Sequence, residues 1–307
     1  MSMQAPRAIS ERTTLSLEFG LLVLLSLIWG SSFTLIKVAL ATVPPFTMVA
    51  GRVTIAAMLL ICIAIGQGHS LPRQRSVWAA LLVQGLLQST LPFTLISWGE
   101  TQIPSGLAGV LNATPPLFVL LIALMTGRGR RTINGQKIIG VAAGLAGVIL
   151  TIGIDARAGA GAAPLAQLAV LGASLCYALA PIWGQRFSSL PAIVTAAGAM
   201  SCAAILMLPM AAIVERPWTL APTAQAIAAV IALAVICTAL AMVIYFRLIR
   251  TLGPLATTSG SYLRAGFAVM LGTTLLGERL TWSILAGMTL VLTGVVAVAL
   301  PSPKPRP

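Results

Sequence analysis

Residues Phe19–Ile36, FGLLVLLSLIWGSSFTLI, run without a charged side chain and break off at Lys37. In a helix rising ~1.5 Å per residue, about 20 apolar residues cross the ~30 Å hydrocarbon core of a bilayer. The pattern recurs down the chain. Val77–Gly99, Thr101–Gly127, Ala158–Gln185, Phe187–Val214, Pro217–Phe246 and Leu280–Pro303 are uncharged as well. Hydrophobic residues make up 58% of the 307-residue chain and charged residues 8%, a balance that fits no soluble class. A soluble helical protein would need amphipathic helices with charged outer faces, and these stretches have none. The chain reads as an all-α polytopic membrane protein.

Ten helices are expected, at roughly 17–40, 46–66, 77–98, 104–126, 135–153, 165–185, 191–214, 223–246, 255–275 and 280–300. The breaks carry turn chemistry: Pro44-Pro45, Gly66-Gln67-Gly68, Gly127–Gly129, Gly159–Pro164, Pro217–Pro222 and Gly253-Pro254. Residues 1–16 form a polar tail, and the first span is too long for a secretory signal and has no cleavage site. The net charge of +13 invites a nucleic-acid reading until the charges are located. With the N-terminus inside, thirteen lysines and arginines fall on cytoplasmic segments and three (Arg157, Arg216 and Arg279) fall opposite. This is the positive-inside bias, and it places both termini in the cytoplasm. The basic surplus is topological, with no basic patch on a soluble domain, so nucleic acid is not an expected partner. Cys62, Cys176, Cys202 and Cys237 lie in apolar spans at no metal-ligand spacing and read as packing residues. The single histidine, His69, sits in a loop, so no metal or other cofactor is expected.

The two halves repeat. Ser26–Gly30 matches Ser174–Ala178 at an offset of 148, while Gly140 and Gly147-Val148 match Gly287 and Gly294-Val295 at 147. The expected units are residues 17–153 and 165–300, joined by a linker at 154–164 and followed by a tail at 301–307. Five spans per unit force the second copy to enter the membrane from the opposite side. Inverted repeats of this kind place a binding site near the midplane between them.

Several stretches resemble one known family. Leu27–Phe33 followed by Lys37, Pro45 and Arg52, then Pro115–Phe118, and finally Gly277–Thr281 ahead of Gly287 and Gly294-Val295, are similar to EamA-type members of the drug/metabolite transporter superfamily. No single motif is specific, whereas their order and spacing are. The resemblance implies ten helices, a bacterial inner-membrane location and carrier activity, commonly export of amino acids or other small metabolites. Two departures stand out. Where the family has Gly-Glu-Arg in the first repeat, this chain has Gly127–Arg131, and the fourth helix of the second repeat lacks the usual proline near Leu263–Ala265.

Arg52 and Arg264 cost about 2.5–3.5 kcal/mol each at midspan, so each should face a cavity or a partner. For Arg52 the structural reading leads, with the guanidinium on helix carbonyls or snorkelling outward. For Arg264, nearer the centre of its span, a role in holding a substrate carboxylate stands level with the structural one. Lys37 reads as an interfacial anchor. Gln84 and Gln88 share one helix face, and Asn112 lies just before Pro115-Pro116, where the backbone ladder weakens. Such amides either bind a polar ligand or glue helices together. Trp29 and Tyr177 occupy equivalent places in the two repeats, and Tyr245, Ser259 and Tyr262 lie on the later helices. These residues, with Arg264, are the candidate cavity lining.

All six acids, Glu11, Glu18, Glu100, Asp155, Glu215 and Glu278, fall in tails, loops or span ends, so no buried carboxylate is expected. A cavity with arginine and amides but no acid suits amino acids better than organic cations, the rival solutes. No catalytic triad, phosphate loop or metal cluster is present in the sequence, so an enzyme is not expected, and a pore is the third class. The expected partners are a small molecule and the bilayer, with no obligatory protein partner.

Overall fold

A computed structural model describes residues 5–126, 135–157, 163–279 and 282–299. Among these residues the secondary structure is helical throughout, with no strand. Seven helices are long and apolar enough to cross a membrane. We number them with the others in chain order: α1 (Ala5–Ala39), α2 (Pro45–Gly66), α3 (Arg75–Glu100), α4 (Ser105–Thr126), α6 (Ala163–Phe187), α7 (Ala192–Val214) and α8 (Ala224–Leu248). The remaining three, α5 (Gly135–Arg157), α9 (Gly253–Leu275) and α10 (Trp282–Ala299), contain shorter apolar stretches. The expected polar tail is helical from Ala5 onward, although the apolar span begins only at Leu17. The basic stretch Gly127–Arg131, where the sequence departs from the family pattern, lies outside the described residues.

Apolar side chains are distributed over two surfaces. Leu25, Met48, Leu60, Leu107, Met200 and Leu233 are buried between helices, while Met58, Ile139, Ile149 and Ile205 point outward and are exposed. Outward-facing apolar residues at this density fit a surface solvated by lipid tails, with helices satisfying their own backbone groups. Among the cysteines, Cys202 and Cys237 are packed as expected, whereas Cys62 is on the exposed surface.

Packing maps onto itself when the halves are exchanged. Helix α5 runs along α10 and α2 along α7, while α1 packs on α8 and α9 as α6 packs on α3 and α4. The α5–α10 crossing is as close as backbones allow. A Cβ at Gly294 would stand 2.5 Å from the Gly140 carbonyl oxygen and 2.5 Å from the Gly144 nitrogen, and one at Gly147 would stand 2.6 Å from the Gly287 oxygen. These glycines do the helix-packing work that their spacing suggests.

Among the described residues three helices carry a π turn or an open break, each for a local reason. In α3 a π turn spans Leu86–Thr90 directly before Pro92. Proline lacks the N–H and its ring clashes with the carbonyl four residues back, so the ladder widens there. The corresponding helix α8 has its π turn at Val235–Leu240, where Thr238 Oγ1 donates to the Leu233 carbonyl at 2.8 Å. In α4 the ladder stops at Asn112 and resumes at Pro115. Pro115-Pro116 removes two donors and disfavours helical backbone at Thr114.

Candidate functional site

The break in α4 frees backbone carbonyls inside the bundle, and buried polar groups converge on it. Arg264 Nη2 donates to the Asn112 carbonyl oxygen at 2.9 Å. From α6, Ser174 Oγ lies 3.0 Å from the Leu111 carbonyl oxygen and 3.5 Å from Asn112 Oδ1. Asn112 is buried, as is Ser174. Arg264 Nε is also buried and has no hydrogen-bond partner. A buried donor without an acceptor costs on the order of 1–3 kcal/mol, more when the group is charged.

Arg52 enters from α2 and is held by both halves. Its Nε donates to Thr238 Oγ1 on the α8 π turn at 2.9 Å, and its guanidinium carbon sits 3.8 Å from the centroid of the Phe93 ring on α3. The residue is only 5% exposed, so it does not snorkel, and its described partners are a hydroxyl and an aromatic face instead of helix carbonyls. The structural reading of Arg52 is corrected to that extent. The hydroxyl of Tyr177 lies within electrostatic reach of both Arg52 and Arg264. One turn of α6 therefore carries Ser174, against the break, and Tyr177, which senses both guanidiniums.

Trp29 flanks this cluster. Its ring centroid is 5.5 Å from that of Tyr245, which in turn is 5.6 Å from Phe246. The adjacent Gly30 permits the approach of α1 to α9: a Cβ there would sit 2.6 Å from Phe267 Cβ and 2.9 Å from the Arg264 carbonyl oxygen. Trp29 is thus at the level of Arg264. Gln84 and Gln88 hydrogen bond to each other at 2.7 Å, and no described hydrogen bond joins them to Arg52 or Arg264. Ser259 and Tyr262 lie on α9, and their side chains fall outside the described residues.

Two expectations about charge are overturned. Glu100 closes α3, as its position suggests, yet it is 0% exposed, and neither carboxylate oxygen has a hydrogen-bond partner. Glu18 is buried as well, accepting from Arg247 at 2.8 Å and Thr251 at 2.9 Å. The chain does bury a carboxylate, Glu100, inside the bundle, while Glu18 is shielded at the bundle's end by an ion pair with the half-exposed Arg247. Lys37, expected as an interfacial anchor, turns its ammonium onto the carbonyls of Glu100 and Ile103. A cation on the last carbonyls of a helix is favourable for the same reason that an anion is at its start.

The other end-on acids follow that rule. Glu215 accepts from the backbone N–H groups of Phe46 (2.9 Å) and Thr47 (2.6 Å) at the start of α2. Glu278 accepts from those of Ser105 (2.7 Å) and Gly106 (3.1 Å) at the start of α4. Both are contacts from the second half onto the first. They share one end of the bundle with Lys37, while Glu18 and Arg247 tie α1 to α8 at the other end. Near that second end a cavity of about 580 Å³ is lined by Arg73, Val77, Arg186, Phe187 and Leu190, among others, and by none of the expected cavity residues.

Ser174, Phe93, Thr238 and Glu100 are the residues that sequence reasoning did not place in the site or its surroundings. Pro92 beside Phe93 marks the loosened ladder, and Thr238 is the lone hydroxyl in the run Ile231–Ala241. No local signal separates an inward-turned acid at a span end from one among headgroups.

The chain matches the EamA-like transporter family over residues 17–153 and again over residues 164–300. It belongs to that family. The two matched stretches are offset by the same interval as the repeated motifs in the sequence. The chain is 30% identical over 283 residues to the uncharacterized inner membrane transporter YedA of Escherichia coli K12, covering 92% of this chain and 90% of YedA. It is 28% identical to the uncharacterized transporter YvbV of Bacillus subtilis, over 94% and 91% of the two chains. A protein of Streptantibioticus cattleyicolor named as a probable terminal-alkyne amino-acid exporter is 27% identical, over 90% and 91%. One crystal structure aligns with a TM-score of 0.63 at 20% identity, covering 92% of this chain and 97% of that one, which speaks to the fold alone. The protein is an EamA-family transporter and, like YedA, a multi-pass protein of the bacterial inner membrane.

Proposed function

We propose that this EamA-family protein is a secondary carrier that exports amino acids or similar small carboxylate-bearing metabolites. It works by alternating access around the arginine cluster at the α4 break. The reading treats residues 17–153 and 165–300 as inverted five-helix repeats with both termini cytoplasmic. The duplicated family match and the exchange-symmetric packing support it. Broken helices at the junction of two such repeats recur in carriers, where freed backbone groups meet the solute.

The observation that carries the solute assignment is Arg264 Nε, a buried cationic donor without an acceptor. A substrate carboxylate supplies that acceptor and can engage a guanidinium through two parallel bonds. Trp29, Tyr177 and Tyr245 offer aromatic faces to an apolar side chain. Gln88 and Asn112 remain in the proposed lining as amide donors, with Gln84, Ser259 and Tyr262 as further members. The relative named for amino-acid export accords with this solute class.

Counterflow in proteoliposomes tests the reading. Trapped unlabelled amino acids should drive saturable entry of labelled ones, and Arg264→Gln should abolish this while leaving membrane expression intact. Strong electrogenic transport of an organic cation, unaffected by Arg264→Gln, would replace the assignment with a cation exporter. Non-saturating current would point to a pore, and chemical conversion of the solute to an enzyme.

A further inference from the structure

We propose that Glu100 is a proton-operated latch on one end of the bundle, so that opening of that end releases a proton and is favoured as the pH there rises. The inference rests on the carrier reading above and adds a pH dependence to one of its two ends.

The case begins with what surrounds the carboxyl group. Glu100 is wholly buried at the end of α3, with neither oxygen hydrogen bonded. Holding an ionised carboxylate in such a place costs several kcal/mol after relaxation, whereas the neutral acid forfeits only its hydrogen bonds. Neighbouring cations could offset that cost, but both are occupied. Lys37 on α1 is within electrostatic reach, yet its ammonium faces the carbonyls of Glu100 and Ile103, and no described ion pair joins it to the carboxyl group. Arg52 on α2 acts on Glu100 from further off while engaged by Thr238 and Phe93. Glu278, after α9, adds a like charge. Helices α4 and α6, which also pack on this end of α3, carry no charged side chain over Ser105–Thr126 or Ala163–Gly184, only the titratable Cys176 and Tyr177.

The position turns this burial into a switch. Glu100 lies in the same corner of the bundle as the contacts that close one end, Lys37 on the α3–α4 connection and Glu278 on the start of α4. Parting those contacts admits water to Glu100 and frees the Lys37 ammonium to stand beside it. The carboxyl O–H bond then breaks heterolytically, the proton passes to water, and the carboxylate that remains is hydrated and faces a cation. Reclosure requires the proton back. Each opening of this end therefore releases one proton to the water on that side and each closing takes one back from the same side, so the equilibrium shifts towards the open end as the pH there rises.

Two arms test this on the full chain in liposomes. The first needs no substrate. Dicyclohexylcarbodiimide reacts with buried protonated carboxyl groups, so mass spectrometry should find Glu100 labelled at low pH and progressively spared as the pH rises. Absence of label on Glu100 at every pH overturns the proposal, whether or not a transported solute has been found. The second arm uses a solute that shows counterflow with the parent protein. With the pH varied equally on both sides, the counterflow rate should change about tenfold per pH unit on one limb of its profile. Glu100→Gln should flatten that profile. If Glu100→Gln fails to insert, Glu100→Asp keeps an acid and should shift the midpoint of the profile. Counterflow that is independent of pH in the parent, or unchanged in both variants, refutes the latch while leaving the carrier intact. Absence of counterflow for every solute tried refutes the carrier reading instead.

Discussion

Substituting Gly294 with alanine should loosen the one contact that joins the last helices of both halves. The added methyl group would begin 2.5 Å from the Gly140 oxygen and the Gly144 nitrogen, and 2.7 Å from the Gly144 Cα. All three are backbone atoms, so no side chain can rotate away. Non-bonded carbon atoms settle at about 3.5–4.0 Å, so α5 and α10 must separate locally by ~1 Å, which forfeits roughly a quarter to a half of each dispersion contact along the crossing. Overpacking of this kind costs typically about 1–3 kcal/mol. At about 2–4 °C per kcal/mol, a scale taken from soluble domains, the melting temperature should fall by roughly 2–12 °C. Gly266→Ala is the control. A Cβ at Gly266 meets nothing within 4 Å, so the same change in helix propensity occurs there without the clash. Thermal unfolding followed by intrinsic tryptophan fluorescence in detergent measures both. Equal melting temperatures for Gly294→Ala, Gly266→Ala and the parent would refute the close-packed crossing.

Other substitutions probe the cluster and the ends. Thr238→Val leaves the Arg52 Nε without its acceptor at a cost of about 1–3 kcal/mol, and should lower thermal stability more than Thr273→Val, whose hydroxyl only bonds its own helix. Arg264→Lys keeps the charge but loses the planar fork, so the KM for a carboxylate-bearing solute should rise about 10- to 100-fold, as expected for removing a charge-assisted bond of about 1.5–3 kcal/mol. A KM within twofold of the parent would detach Arg264 from the solute. Glu278→Gln weakens the cap on the start of α4 and should raise maleimide labelling of a cysteine placed at Gln102. Unchanged labelling would show that this contact does not hold the end closed.

The sequence reading and the folded chain part company at identifiable places. Helix positions followed from the spacing of charge, because a bilayer tolerates charged side chains so poorly that their absence is itself a ruler. Glycine spacing marked faces for close packing on α5 and α10, since only a missing side chain admits another backbone, but not that the two helices meet each other. Pro115-Pro116 announced a weakened ladder at Asn112 and proline chemistry supplied the full break. Partners across the bundle were not legible. Nothing near Arg52 in sequence names Thr238 or Phe93, which lie on other helices and meet it only through tertiary packing. The same limit hid Glu100. A span-end acid looks identical whether its helix rotates it towards headgroups or inward, and here the inward rotation converts an expected surface charge into a buried one.

Reciprocal motion of the two ends is the central claim, and paired spin labels measure it directly. In a background with the four native cysteines replaced, one pair at Thr42 and Thr223 would report the end where those hydroxyls lie 3.3 Å apart. A second pair at Leu17 and Arg250 would report the end closed by Glu18 and Arg247. Pulsed electron–electron resonance in liposomes should give two distance populations for each pair, with conditions that lengthen one shortening the other. Two ends that open together, or that keep single unchanging distances during turnover, would contradict alternating access.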